Sequence, residues 1–122
     1  MSLRDKILAA APAMPAEAAK FGDFDIEIRA LTAAESAGFL KRVMSRDRGG
    51  DLQVDLGKWN VELVIASCYD PETGERLFEA GDVETVGRWP ADVINEVARK
   101  AAGLSGLGRE RELAEELKSE PG

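Results

Sequence analysis

The sequence predicts a small domain of the mainly α (α+β) class, in which several helices carry one short two-stranded β element. Apolar side chains recur at helical spacing in three segments, whereas a single segment alternates apolar and charged residues. The 122 residues are long enough for one hydrophobic core and too short for two. We therefore expect one helical domain over residues 1–108, followed by a charged, flexible tail over residues 109–122.

The charge balance disfavours nucleic-acid binding. The chain has 16 Lys and Arg residues against 23 Asp and Glu, a net charge of −7, so phosphate backbones repel it unless its cations cluster. The densest cations, Arg42, Arg46 and Arg48, are interspersed with Asp47 and Asp51. We expect no nucleic-acid partner.

The single cysteine and the short apolar runs predict a cytoplasmic protein. Cys68 has no second cysteine with which to form an intrachain disulfide. No apolar run approaches the roughly 20 residues of a membrane-spanning helix, and residues 7–11 are too few for a signal peptide. We expect no membrane partner.

The N-terminal segment predicts a short helix over residues 2–11, ended by Pro12 and Pro15 because the residue before a proline avoids the helical conformation. Three large apolar side chains share one side of it: Leu3, Ile7 and Leu8. Residues 11–20 are rich in alanine and proline and predict a semi-rigid connector. The segment is interpreted either as a mobile arm for a partner or as a strap across the core, and the strap is the commoner role.

Alternation over residues 23–30 predicts a half-buried strand. Its apolar positions are Phe24, Ile26 and Ile28. Because a lone strand leaves its backbone hydrogen bonds unmade, we expect it to pair with residues 76–78 or with a second chain.

A capping box predicts the start of the next helix. The Thr32 hydroxyl is placed to accept from the amide of Glu35, whose carboxylate reaches back to the amide of Thr32. Phe39 then opens an apolar stripe that is expected in the core, and the helix should run to about Ser45. Residues 46–56 predict a flexible loop, and the spacing of its aspartates does not match a calcium loop.

The most apolar run, residues 57–69, is predicted to be a central buried helix. Local propensity favours a strand, but the length favours a helix with Trp59 and Leu63 on one face. Cys68 lies in this run without a neighbouring base, so burial should raise its pKa and make it a structural thiol.

A tight turn follows, in which Asp70 bonds the backbone, Pro71 fixes φ and Gly74 permits a positive φ. It returns the apolar pair ending in Phe78 toward the buried run, and residues 76–78 are predicted as a short strand. A short helix capped by Asp82 should then run to Gly87.

Trp89 and Pro90 open the last long helix, whose buried stripe includes Val93 and Val97. Gly103 is predicted to supply the left-handed cap. Residues 103–108 are interpreted as a hinge, since their glycine spacing fits no phosphate-binding loop. Trp59 and Trp89 are interpreted as core fillers, with an exposed partner anchor as the alternative.

The residue inventory disfavours catalysis. There is no histidine, which removes the usual general base and the common metal ligand. The carboxylates fall mostly on predicted helix surfaces and loops, so we expect no enzyme activity, no metal and no cofactor.

The order of four motifs resembles the tail assembly chaperones of long-tailed bacteriophages and prophages. These are DIEIRALTAAE at residues 25–35, ELVIASCYDPETGERLF at 62–78, GDVETV at 81–86 and AAGLSGLG at 101–108. The resemblance implies a small helical protein that binds the tape-measure protein, keeps it soluble and helps recruit subunits of the major tail-tube protein. It also implies absence from the mature virion, and it transfers no catalytic residue.

Partner contacts are predicted at Trp89 and in the charged tail, whose only apolar pair is Leu113 and Leu117 beside Arg109 and Arg111. The alternative function is a generic protein-protein adaptor or dimerisation module, in which the lone strand pairs across a two-fold axis. Weak homo-oligomerisation is compatible with both.

Overall fold

The computed structural model describes residues 1–107, which form an α+β structure. In chain order the elements are α1 (Leu3–Ala9), β1 (Ala16–Phe21), β2 (Phe24–Arg29), α2 (Ala33–Val43), β3 (Met44–Arg46), β4 (Leu52–Val54), α3 (Leu56–Ser67), β5 (Cys68–Tyr69), a 3-10 turn (Ala80–Asp82), α4 (Val83–Val86) and α5 (Ala91–Ser105). The predicted tail, with Arg109, Arg111, Leu113 and Leu117, lies outside the described residues.

A three-stranded antiparallel sheet, in the order β1-β2-β5, replaces the predicted two-stranded element. β1 and β2 form a hairpin closed by the pair Phe21 and Phe24, and β2 pairs with β5 through Ile28 and Cys68. The predicted connector over residues 11–20 was therefore wrong. Its alanines have no strand signal of their own, so β1 owes its conformation to pairing with β2.

The expected partners of β2 were also wrong. Residues 76–78 form no strand, and Arg76 makes only an isolated bridge to Tyr69. The chain leaves α3 directly into β5, which takes the place beside β2 before the turn at Asp70 begins. Both neighbours of β2 thus come from its own chain.

The capping box at the start of α2 is confirmed, because Thr32 Oγ1 accepts from the Glu35 amide and the Glu35 carboxylate accepts from the Thr32 amide. The helix ends at Val43. The flexible loop predicted over residues 46–56 was wrong, since β3 and β4 form a second hairpin. Asp47 closes its turn by accepting from the amides of Gly49 and Asp51, each at 2.9 Å.

The ambiguous apolar run is a helix, α3, capped by Asp55 and followed by the two residues of β5. α3 packs between α2 and α5 and supplies much of the core. Most predicted core residues are confirmed as buried: Ile26, Ile28, Phe39, Trp59, Leu63, Cys68 and Val97. Val93 and Phe78 pack against this cluster while partly buried.

Two predictions about the last helix were wrong. α5 continues through Gly103 to Ser105, and Gly106 supplies the left-handed cap with φ of 70°. Residues 103–107 are consequently no hinge, because Leu107 is buried and Ser105 Oγ accepts from the Leu31 amide at 2.9 Å. Asp82 precedes α4, but its carboxylate accepts from the Glu79 amide instead of capping that helix.

Phe24 and the N-terminal helix α1 lie outside the core. Phe24 was predicted to be buried and is 65% exposed; it is the first residue of β2, directly after the hairpin turn at Gly22 and Asp23. The strap interpretation of the N-terminal segment was wrong as well, since α1 has no buried residue. Within residues 1–107, no helix has the length and apolarity needed to cross a membrane.

Candidate partner-binding groove

An apolar groove lies where the β1-β2 hairpin, the turn after β5 and the start of α5 meet. It encloses about 380 Å³. Its walls and floor, here called the aromatic groove, are formed by Phe21, Phe24, Ile26, Pro71, Leu77, Phe78 and Trp89, with Asp25, Asp70 and Glu72 at the rim.

Three aromatic contacts build one wall of the aromatic groove. The ring of Trp89 meets Phe21 edge-on at 4.6 Å between centroids and Phe24 at 6.5 Å. Phe21 in turn contacts Phe78 at 5.6 Å. Edge-to-face and tilted arrangements such as these are favoured by the quadrupoles of the rings. Trp89 is therefore held in place although it is only half-buried.

The hairpin turn allows Trp89 to approach this closely. Gly22 has φ of 62°, a left-handed conformation that glycine adopts without steric cost. A Cβ atom at this position would lie 2.9 Å from Cζ3 of Trp89. The absence of a side chain at Gly22 thus sets the position of the tryptophan.

The turn at residues 70–75 builds the opposite wall and is confirmed. Asp70 Oδ1 accepts from the Glu72 amide at 2.8 Å, and the Asp70 carbonyl accepts from the Gly74 amide at 2.8 Å. Gly74 has φ of 74°. The Leu77 amide then donates to the Cys68 carbonyl at 3.1 Å, which holds Leu77 beside β5.

The aromatic groove combines exposed apolar surface with negative charge. Phe24 is 65% exposed and Leu77 is 38% exposed. Asp25 pairs with Lys20 at 2.5 Å, whereas Asp70 and Glu72 make no ion pair with any residue in the described range. Such a surface suits apolar side chains that are flanked by cations.

Arg76 links the neighbouring elements behind the aromatic groove. It donates to the Glu35 carboxylate, and its Nη1 donates to the Ala66 carbonyl at 3.0 Å. Partial burial raises the pKa of Glu35, but hydrogen bonds from Thr32 and Arg76 outweigh it, so the pKa lies below its usual value. These contacts are structural, because they connect α2, α3 and the chain after β5.

Cys68 is a buried thiol, as predicted. Burial raises its pKa to about 12, so almost none of it is thiolate at neutral pH. Within residues 1–107, no group of three or more His, Cys, Asp or Glu side chains is placed to hold a metal ion.

Other depressions are lined by mixed charges. The one between β1 and α5 encloses about 540 Å³ and is bordered by Lys20, Asp92, Glu96 and Lys100. A third, between α2 and α3, contains the Arg42–Glu62 pair at 3.0 Å. Their charged groups leave less continuous apolar surface than the aromatic groove.

Trp89 is the one predicted partner residue that lies in the described range, and it lines the aromatic groove. Phe24 and Leu77 were missed as candidate contacts. Phe24 follows directly on the Gly22–Asp23 turn, which was the available signal that it sits at a strand end. A scan against protein-family models and searches of curated proteins and of solved structures found no match to this chain.

Proposed function

We propose that this chain is a non-enzymatic phage tail assembly chaperone that binds the tape-measure protein, keeps it soluble and helps recruit tail-tube subunits in the host cytoplasm. The proposal rests on the resemblance over residues 23–108 and on the chemistry of the aromatic groove. The observation that carries it is the exposed apolar surface of Phe24 and Leu77 beside Trp89.

The client surface matches the groove. A tape-measure protein presents long apolar helices until tube subunits cover them. The apolar side of an amphipathic helix presents side chains at i, i+3, i+4 and i+7, which a groove of this kind binds. Phe24 and Leu77 remain partly exposed to solvent in the groove, and the proposal requires client contacts weak enough for arriving tube subunits to displace.

The negative charge of the chain contributes to solubility. Each bound copy adds a net charge of −7 to the complex, and like-charged complexes repel one another. Asp70 and Glu72 at the rim favour clients whose apolar side is bordered by Lys or Arg.

Co-expression with a tape-measure protein tests the proposal. We expect the client to be soluble and to co-elute with this chain, and Phe24→Asp to abolish co-elution by placing a charge on the apolar surface. Leu52→Asp is the matched control, because Leu52 is 51% exposed on β4, outside the aromatic groove. An insoluble client with the unmodified chain, or equal loss with both variants, would contradict the proposal.

The charged tail supplies a separate prediction. Substitutions of Leu113 and Leu117 that leave the net charge of the tail unchanged are expected to weaken client binding while leaving the domain folded. Undiminished binding by a chain truncated after residue 108 would refute a role for the tail without affecting the groove.

A generic adaptor or dimerisation module is the second candidate function. The fully exposed α1 favours it, because three large apolar side chains on a surface helix indicate a protein contact. Failure of the client experiment together with stable self-association would place this candidate first.

A further inference from the structure

We infer that α1 of one copy occupies the aromatic groove of a second copy, giving a dimer that the client must displace. The inference rests on the groove being a site for apolar helices, as in the proposed function. It adds which segment occupies the aromatic groove when no client is bound.

α1 lacks the contacts that normally stabilise a helix. It has seven residues and none is buried, and isolated helices shorter than about 12 residues are marginal in water. Leu3, Ile7 and Leu8 are between 63% and 74% exposed. The helix therefore gains most of its stability when a partner surface covers these side chains.

The charges of the two surfaces are complementary. Residues 1–10 contain Arg4 and Lys6 against one carboxylate, Asp5, whereas the chain as a whole is strongly acidic. The rim of the aromatic groove carries Asp70 and Glu72 without ion-pair partners in residues 1–107. Placing α1 in the groove brings its cations to these carboxylates while its apolar side covers Phe24 and Leu77.

The connection to β1 favours a second copy over the same chain. Met14 is half-buried and lines a depression together with Arg29 and Tyr69, and the Pro15 carbonyl accepts from the Ala30 amide at 2.8 Å. The α1 of the same chain does not occupy the groove, because none of its residues is buried and none lines the groove. The α1 of a second copy has no such tether and lies along the groove.

The dimer predicted by this exchange has two equivalent interfaces. Two copies related by a two-fold axis each donate α1 and each accept the α1 of the other. Because the client and α1 compete for one site, the groove stays covered until the client arrives. Client affinity consequently rises when α1 is disabled.

Sedimentation equilibrium of the full chain tests the exchange. We expect a concentration-dependent dimer, and we expect Ile7→Asp to raise its dissociation constant about tenfold or more. Ala9→Asp is the matched control, since it introduces the same charge on the other side of α1 and should dimerise normally. A monomer at all concentrations for the unmodified chain, or equal behaviour of the two variants, would overturn the inference.

Mixing two defective chains identifies the interface. Ile7→Asp retains the groove and Phe24→Asp retains α1. Each alone should therefore dimerise about tenfold or more weakly than the unmodified chain, and an equimolar mixture should form a heterodimer through one helix and one groove. Trp89 emission should shift on mixing, because the other tryptophan, Trp59, is buried. No association in the mixture, or a shift already present in dilute unmodified chain, would instead indicate that no second copy is involved.

Binding of an amphipathic peptide separates this inference from the proposed function. An Ile7→Asp chain that binds a basic amphipathic helical peptide more tightly than the unmodified chain supports both. Equal binding by both chains supports the groove and overturns the exchange. A dimer sensitive to Ile7→Asp that binds no such peptide supports the exchange and contradicts client binding.

Discussion

Arg76 joins Glu35 across 41 residues of chain, and the same guanidinium donates to the Ala66 carbonyl. It also lies 5.3 Å from the centroid of the Tyr69 ring, on which Arg29 stacks at 4.2 Å. Through these contacts the start of α2 and the end of α3 share one cation. Glu35 thus has two functions, since it also completes the capping box of α2.

The lowered pKa of Glu35 predicts acid sensitivity. Since the folded value lies below the unfolded one, its stabilisation is complete above the unfolded pKa and is lost as the pH falls through the folded pKa. Urea unfolding between pH 6 and pH 3 should show a smaller loss of stability in Glu35→Gln than in the unmodified chain. An identical pH dependence in the variant would show that other carboxyl groups carry the effect.

Gly22→Ala is expected to destabilise the domain by about 1–3 kcal/mol, because alanine disfavours the left-handed conformation and its methyl group meets Trp89. Gly103→Ala is the control: that site is helical and open, so alanine should stabilise it by about 0.5–1 kcal/mol. Thermal or urea denaturation measures both. Equal effects of the two substitutions would refute a special role for Gly22.

Phe24→Ala should separate binding from stability. The exposed ring contributes less than about 1 kcal/mol to folding, whereas Phe39→Ala, at a fully buried site, should cost about 3–5 kcal/mol. Client or peptide affinity should fall in Phe24→Ala at unchanged fold, as monitored by circular dichroism. A large loss of stability would instead assign Phe24 to the core.

The thiol of Cys68 should be unreactive in the native protein. With a pKa of about 12, roughly one thiol in 10⁴ is ionised at pH 8, and burial excludes reagents. A colorimetric disulfide reagent should label it only in denaturant. Because the folded pKa exceeds the unfolded one, stability should also decline as the pH rises above about 9. Rapid labelling without denaturant would contradict both expectations.

The sequence predicted correctly those elements whose defining contacts join residues only a few positions apart in the chain. Thr32 and Glu35 form a capping box from residues three apart, and Asp70 with Gly74 closes a turn within five residues, so both were found. The length of the apolar run likewise decided correctly in favour of α3. Each of these depends on neighbours in the chain.

Elements that depend on distant pairing were missed. The alanines of β1 become a strand only beside β2, and β5 is too short to have a pattern of its own. The same limit applies to the aromatic groove, because Phe24, Leu77 and Trp89 come from three separated segments. Trp89 was singled out by residue type. The exposure of Phe24 depends on its position at the start of β2, next to the hairpin turn.

The bond between the Leu31 amide and Ser105 Oγ spans 74 residues, and it has a consequence for synthesis. A ribosome adds about 5–20 residues per second. Several seconds therefore pass between the synthesis of the β1-β2 hairpin and that of α5, which packs against it. During this interval the apolar faces of β2 and α3 remain open on the nascent polypeptide. Among residues 1–107, vectorial folding therefore finishes with α5, and the growing chain needs protection from aggregation until that helix has emerged.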